Sequence, residues 1–498
     1  MKKTKMFLAL LLAAAIALPM ISGCGDEGKT TAETSAAETE TVAEVTTDPN
    51  DRSGYKDSLP EDIDLGGVTI GVYCCKTFNN TDFIMGAEEP SGDLVEDAVM
   101  ERNEKVFERL NVNIKYNLTD TAYYEIGNVV NKFVMAGDST YDYFTGAQFG
   151  LVQQATEGVF YNVFDLPYID FDQPWWWNGY MDEISIGADK RFFLVGDYFI
   201  DMLRGTRVLY FNKTLYENQL GNPDDLYNVA LEGNWTLERM AELVKGMYRD
   251  LNGNTVFDEE DQYGFATYVT YSSSDAFAFA TDIRMTERGD DGTMTFTMGT
   301  ERQLKAADLI NAVFWNEGSY ISKIDTDKAT PIFKNGNSLM LGNSSIGTSE
   351  IFRDMEDDFG MVPYPKLDDT QENYRSLVHD TQNFGVVPLC CAHPDETGAV
   401  LEAMSSETWK TLTPTYYETA LKVKYVRDEL SAQIIDIIHD SIATEFAFVY
   451  YASLSNAGMI YRNLITNNSS DFMSEWAKMQ KSAEKALDKL NATYLEKN

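Results

Sequence analysis

Val68-Thr69-Ile70-Gly71-Val72-Tyr73 carries no charge and is rich in β-branched side chains, so it reads as a buried strand. Downstream, Leu94, Val95, Ala98, Val99, Arg102, Val106 and Leu110 fall near helical spacing, which predicts a helix over 94–110. Asn111 to Leu118 alternates as a strand does, Tyr124 to Met135 is helical again and stops at Gly137, and Tyr141 to Phe144 is a third short strand. Residues 66–150 therefore read strand–helix–strand–helix–strand, the pattern of an α/β unit with a mainly parallel sheet. Right-handed crossovers then put helices on both of its faces.

A second set of elements follows. Val208 to Phe211 is a strand. Thr236 can cap a helix whose apolar side is Met240, Leu243, Val244 and Met247. Ala306, Leu309, Ile310, Val313 and Phe314 mark another helix, and Ser338–Leu341 and Phe359–Val362 read as strands. Phe472, Trp476, Met479, Ala483, Leu487 and Leu490 line a long last helix. With 498 residues and 44% hydrophobic side chains the chain can build two large cores, which excludes global disorder. Its formal charge of −39 argues against nucleic acid as a partner and against an anionic membrane surface as a docking site.

The first residues are expected to be a targeting segment. Lys2, Lys3 and Lys5 precede the apolar run Met6–Met20, and Ile21-Ser22-Gly23-Cys24 resembles a bacterial lipobox, in which the Cys thiol receives diacylglycerol. Residues 1–23 are then a lipoprotein signal peptide, Cys24 the lipidation site, and the protein sits on the outer face of the cell membrane. Residues 24–60 are rich in Thr, Ala and Glu with almost no large apolar side chain, and are expected to be a disordered tether. Of the remaining cysteines, Cys74, Cys75, Cys390 and Cys391 form two adjacent pairs without zinc spacing; they are either buried thiols or bridged pair to pair. Three histidines, His379, His393 and His439, are widely spaced and weaken a His-based metal or triad reading.

Four segments carry a resemblance. Val208–Glu217 (VLYFNKTLYE), Asn234–Glu238 (NWTLE), Phe333–Met340 (FKNGNSLM) and Phe359–Lys366 (FGMVPYPK) occur in the order and approximate spacing of motifs in extracellular solute-binding proteins of ABC importers. The group resembled is family 1, which contains maltose-binding protein, and the resemblance covers roughly residues 66–490. It implies a two-lobed, periplasmic-binding-protein-like α/β fold (type II), each lobe a mixed, mainly parallel sheet flanked by helices, with hinge strands between the lobes. Crossings are implied near Asp197–Met202 and near residues 328 and 384. Lobe one is then 66–197 plus 329–384, and lobe two 198–328 plus 385–498. Ligand belongs at the carboxyl ends of the strands, in the crevice that open α/β sheets leave there.

Two sites follow. Asp250, Asn252, Asn254, Asp258 and Asp261 place side-chain oxygens at positions 1, 3, 5, 9 and 12 of a loop, and Val256 can add a backbone carbonyl. A hard cation needs such an oxygen cage, so structural calcium is expected. The loop departs from the EF-hand pattern, with Gly253 at position 4 and Asp at position 12, and an acidic Asn/Gly turn is the alternative. For the ligand, Pro174-Trp175-Trp176-Trp177 offers flat faces that suit the C–H side of sugar rings and pack cores equally well. Trp176 is assigned to the cleft and its neighbours to the core. The resemblance adds Lys76 after the first strand, Gln148 after the third, and Asp197 and Tyr198 at the first crossing. Where the family often has an aromatic residue, this chain has Asn343-Ser344-Ser345, which weakens a maltose-like stacking arrangement. The expected protein is a monomeric, non-enzymatic receptor that passes a sugar or oligosaccharide to an ABC permease. A surface glycoside hydrolase and a calcium-dependent adhesin are the alternatives.

Overall fold

A computed structural model describes residues 52–496 except 53, 76–85, 87–88, 199, 270, 323–326, 353 and 418–428. Along the chain run β1 (Thr69–Cys75), α1 (Leu94–Leu110), β2 (Asn113–Thr119), α2 (Ile126–Ala136), β3 (Tyr143–Ala147), α3 (Asn178–Ile184), β4 (Arg207–Asn212), α4 (Leu237–Lys245) and β5 (Tyr263–Tyr268). They are followed by α5 (Glu301–Phe314), β6 (Ser319–Ser322), β7 (Ser338–Ser345), β8 (Phe359–Val362), β9 (Asn383–Val386), α6 (Pro394–Glu407), α7 (Glu429–Asp440) and α8 (Phe472–Leu495). No helix among the described residues is long and apolar enough to cross a membrane.

The strands form two principal sheets, each the floor of one lobe. The first has the order β9-β3-β1-β2 and the second β8-β4-β7-β5-β6. In the first sheet β1 runs parallel to both β2 and β3, and only β9 is antiparallel, against β3. In the second, β5 is parallel to β6 and β7, while β4 is antiparallel to β7 and β8. The fold is thus a two-lobed, mixed α/β architecture.

Local sequence explains how the elements end where they do. The Asp93 carboxylate accepts from the Val95 and Glu96 amides and caps α1, which stops at Asn111 in the left-handed region, a conformation asparagine tolerates. The Thr236 hydroxyl accepts from the Arg239 amide at the start of α4. In β9, a Cβ on Gly385 would lie 1.6 Å from the Tyr143 hydroxyl, so only glycine lets this returning strand sit against β3.

The sheets correct the expected lobe boundaries. The chain does not cross near residue 328, because β7 lies between β5 and β4 and β8 pairs with β4, all in the second sheet. Of 329–384, the strands β7 and β8 therefore belong to lobe two, and the chain re-enters the first sheet only at β9. Nor is 385–498 wholly lobe two, since α6 packs on α1 of the first lobe. The chain is back in the second lobe at α7, which packs on the helix Asp224–Leu231. The long α8 touches both lobes: Asn491 exchanges hydrogen bonds with the backbone of Met294 in the second, and the Tyr494 ring packs on Phe192 of the first, with ring centroids 4.9 Å apart.

The tether boundary also moves. Leu59 is buried, the Arg109 guanidinium pairs with Asp57 at 2.5 Å, and Arg52 donates to the Trp409 carbonyl at 2.6 Å, so the described part of 52–60 is docked on the body. The physical reason is that Leu59 is an apolar anchor in an otherwise polar segment. The signal peptide, Cys24 and the rest of the tether lie outside the described residues.

Candidate functional site

The carboxyl ends of the strands meet at the two crossings. β3 ends at Ala147, and the next two amides, of Gln148 and Phe149, donate to the carbonyls of Gln382 and Asp380 in the returning crossing. Across from them, β5 ends at Tyr268 and β7 at Ser345. Tyr268, Asn343, Ser345, Arg207, His379 and Thr381 line a cleft of about 420 Å³. Aromatic, amide, hydroxyl and guanidinium groups from the second sheet and both crossings therefore converge at one place.

A charged network backs this cleft. The Tyr451 hydroxyl donates to the Asp380 carboxylate at 3.1 Å, and the Tyr451 ring packs on Phe149 at 5.5 Å. Asp380 is buried, and desolvation raises its pKa, with Arg462 and Arg207 near enough to oppose the shift. Arg462 pairs with buried Asp275, just ahead of the helical turn Ala276–Ala280. Gln148 is fully buried: its Oε1 accepts from Tyr180 Oη at 3.1 Å and from Gln382 Nε2 at 2.9 Å. Gln148 Nε2 and Gln382 Oε1 are buried without a hydrogen-bond partner, leaving one donor and one acceptor open where β3 ends.

The other expected ligand residues are elsewhere. Trp176 and Asp197 line a second cavity, of about 780 Å³, on the far side of the first crossing: Ile200, Met202 and Leu203 face this cavity, whereas Arg204, Gly205 and Arg207 face the strand-end cleft. Of the three tryptophans, Trp175 is fully buried and Trp176 is 5% exposed, its indole N–H on Glu402 at 2.8 Å. Trp177 is the partly exposed one, and its indole N–H donates to Asp197 at 2.7 Å. Asp197 also accepts from Thr413 at 3.1 Å; burial pushes its pKa up to about 6, opposed by those two bonds. Burial likewise pushes Glu402 up to about 7. Tyr198 points into the first lobe, its hydroxyl 3.1 Å from that of Tyr116 and its ring under the Arg102 guanidinium. Lys76 lies outside the described residues.

Sequence reading missed Arg207, Tyr268, Asp275, Asp380, Tyr451 and Arg462. A usable signal existed for two of them. Arg462 interrupts the apolar run Ala457–Ile465 and Asp275 precedes Ala276-Phe-Ala-Phe-Ala280, and a lone charge in such surroundings is rarely buried without a partner.

In the loop 250–261 the donor set is all oxygen, as calcium prefers. Those oxygens serve the loop's own amides: Asp250 accepts from Gly253 at 2.7 Å and Thr255 at 2.9 Å, Asn252 from Asn254 at 2.9 Å, Asn254 from Val256 at 2.6 Å, and Asp258 from Glu260 at 2.9 Å. Asp261 is fully buried and accepts from Tyr248 at 3.0 Å. Among the described residues no three acidic, histidine or cysteine side chains converge as a metal site. The loop's chemistry fits a hard cation, and the Asn254 amide already donates to Asp258 across the loop at 2.7 Å. Cys74, Cys75, Cys390 and Cys391 are all free, which settles the bridged alternative against itself; burial pushes Cys74 to about 12 and Cys75 to about 11.

The architecture recurs in solved structures of solute-binding proteins. The sugar-binding protein MalE from Xanthomonas citri aligns with a TM-score of 0.57 at 11% identity, covering 86% of this chain and all (100%) of that one. UgpB from Mycobacterium tuberculosis, in complex with glycerophosphocholine, aligns with a TM-score of 0.54 at 14% identity, over 85% of this chain and 98% of that one. The galacto-N-biose-/lacto-N-biose I-binding protein of the ABC transporter from Bifidobacterium longum, in complex with lacto-N-biose, gives 0.54 at 11% identity over the same shares, 85% and 98%. No family model matches the sequence, and no curated protein does. At these identities the likeness is one of fold: this chain shares the two-lobed α/β architecture of these three binding proteins.

Proposed function

We propose that this chain is the solute-binding component of an ABC importer and that it takes a carbohydrate, an oligosaccharide by preference, in the strand-end cleft. The observation that carries the reading is the cleft lined by Tyr268, Asn343, Arg207 and Thr381 at the carboxyl ends of β5 and β7, backed by the buried Asp380–Tyr451 pair and by the Gln148–Gln382 pair where β3 ends. That is where open α/β sheets bind ligands, and planar amides, guanidinium groups and aromatic faces suit hydroxylated rings. The bound lacto-N-biose of one structural relative and the sugar-binding role of another support this class of ligand. Closure of the two lobes about the crossings would trap the guest, which leaves unaltered. Delivery is to a membrane permease, from a monomer held outside the cell by lipid on Cys24.

Titration calorimetry against mono-, di- and oligosaccharides tests the ligand. Saturable binding without release of reducing ends is expected, together with its loss in Asp380→Asn; sugar hydrolysis, or no binding across the panel, would overturn the reading. Cys24→Ser should move the protein from the membrane to the soluble fraction. We also propose that calcium closes the 250–261 loop. EDTA should then lower the melting temperature of the parent and leave Asp250→Asn unchanged, since a ligand that binds only the folded state adds to its stability; identical melting with and without EDTA removes calcium from the account.

A further inference from the structure

The cavity beside the first crossing is larger than the strand-end cleft, and nothing in the proposed transport cycle uses it. Both lobes build it. Trp177 and Asp197 come from the first lobe, Arg375 and His439 from the second, and Arg284 of the second lobe bonds to Glu183 of α3 at its rim, at 2.5 Å. Its volume of about 780 Å³ falls in the range of small-molecule sites.

Its chemistry is specific in two respects. Most of the charged groups lining it already have partners: Arg284 has Glu183, Arg375 has Asp282, Arg52 donates to the Trp409 carbonyl, and Asp197 accepts from Trp177 and Thr413, while His439 sits 3.0 Å from Asp440 and Asp172 lies exposed at the edge. A charged guest would shed its water mainly for groups that are already engaged, whereas an uncharged one meets fixed donors and acceptors. The Trp177 ring is also held in place, by its N–H on Asp197 and by an edge contact with His439, with ring centroids 6.5 Å apart. A flat face fixed beforehand favours a ring that presents C–H groups.

We propose that this cavity is a second ligand site, distinct from the strand-end cleft, for an uncharged polyhydroxylated ring: one or two saccharide residues. A guest there bridges the two lobes through Trp177 and His439. The proposal stands whether or not the cleft binds sugar, because the crossing residues that face the two sites are different.

The test uses the full chain kept soluble by Cys24→Ser, titrated with glucose, cellobiose, maltose, maltotriose and xylobiose by calorimetry and tryptophan fluorescence. An Asp380→Asn/Tyr451→Ala chain disables the cleft. In that background at least one of these sugars should still bind and shift tryptophan emission, and Trp177→Ala should weaken that binding about tenfold or more. Gly179 lines the cavity, and a Cβ there meets nothing within 4 Å, so Gly179→Phe adds bulk at the site without removing core; it should weaken the same binding. No sugar bound in the cleft-disabled chain, or binding untouched by both Trp177→Ala and Gly179→Phe, overturns the proposal. If the Asp380→Asn/Tyr451→Ala pair changes no isotherm while the cavity variants do, it is the cleft reading that fails.

Discussion

The two sides of the first crossing are made of different materials. The strand-end side is backed by buried charge: Asp275 and Asp380 are buried among aromatic rings, Asp275 paired with the partly buried Arg462 and Asp380 accepting from the Tyr451 hydroxyl. The other side is aromatic, and most of its charges are paired or accept from indole N–H groups. Buried charge is costly to leave alone and so fixes geometry strictly, while indoles tolerate a range of guests. One side is thus built to hold its own groups in a single arrangement, and the other to offer surface.

The sharpest way to break this contrast is to uncouple the ion pair. Arg462→Met leaves Asp275 buried without its partner and should cost about 3–5 kcal/mol in urea unfolding, the range for a broken buried pair. Asp275→Leu added to Arg462→Met should recover most of that loss, because an apolar pair of similar volume carries no desolvation cost. A small effect of the single change would mean that water reaches Asp275, and the strand-end side would be no stricter than its counterpart.

On the aromatic side the corresponding test is a titration. Glu402 beneath Trp176 is pushed up to about 7 from the 4.5 of an exposed glutamate, so the folded protein holds a proton that the unfolded chain has released. Stability contributed by that proton is present at low pH and is lost as pH rises from about 4.5 through about 7. The shift is worth about 3–4 kcal/mol at about 1.4 kcal/mol per pH unit. Glu402→Gln, which is neutral throughout, should flatten the fall in urea midpoint between pH 5 and pH 8 relative to the parent. Equal slopes in the two proteins would place Glu402 in contact with solvent.

How far each side could be read from the sequence follows from the same contrast. Periodicity and composition announce β1, α1 and β3, and the structure has them within a few residues of where they are expected. Pro174–Trp177 announces itself by composition, yet which indole stays exposed depends on Glu402, more than two hundred residues on, taking the N–H of Trp176. Asp380 carries no local pattern, and the lone charges Asp275 and Arg462 show only that each needs a partner, because the partners are far along the chain and meet only when the crossings form. The misplaced lobe boundary has a similar origin: β7 reads as a strand on its own, and only its pairing with β4 and β5 says which sheet it joins.

The mildest change asks whether Trp177 is held for its ring or for its N–H. Trp177→Phe keeps an aromatic face on the cavity and removes the donor 2.7 Å from Asp197. A hydrogen bond to a charged group is worth about 1.5–3 kcal/mol, and partial exposure of the indole places this one near the lower end. The indole N–H opposes the burial that pushes Asp197 to about 6, so its loss should raise that pKa further. The stability penalty should therefore appear at pH 8, where the carboxylate is charged in the parent, and shrink at pH 5, where Asp197 is mostly protonated in both proteins. If the penalty is the same at both pH values, the bond serves packing alone, and Asp197 does not tie the ring electrostatically.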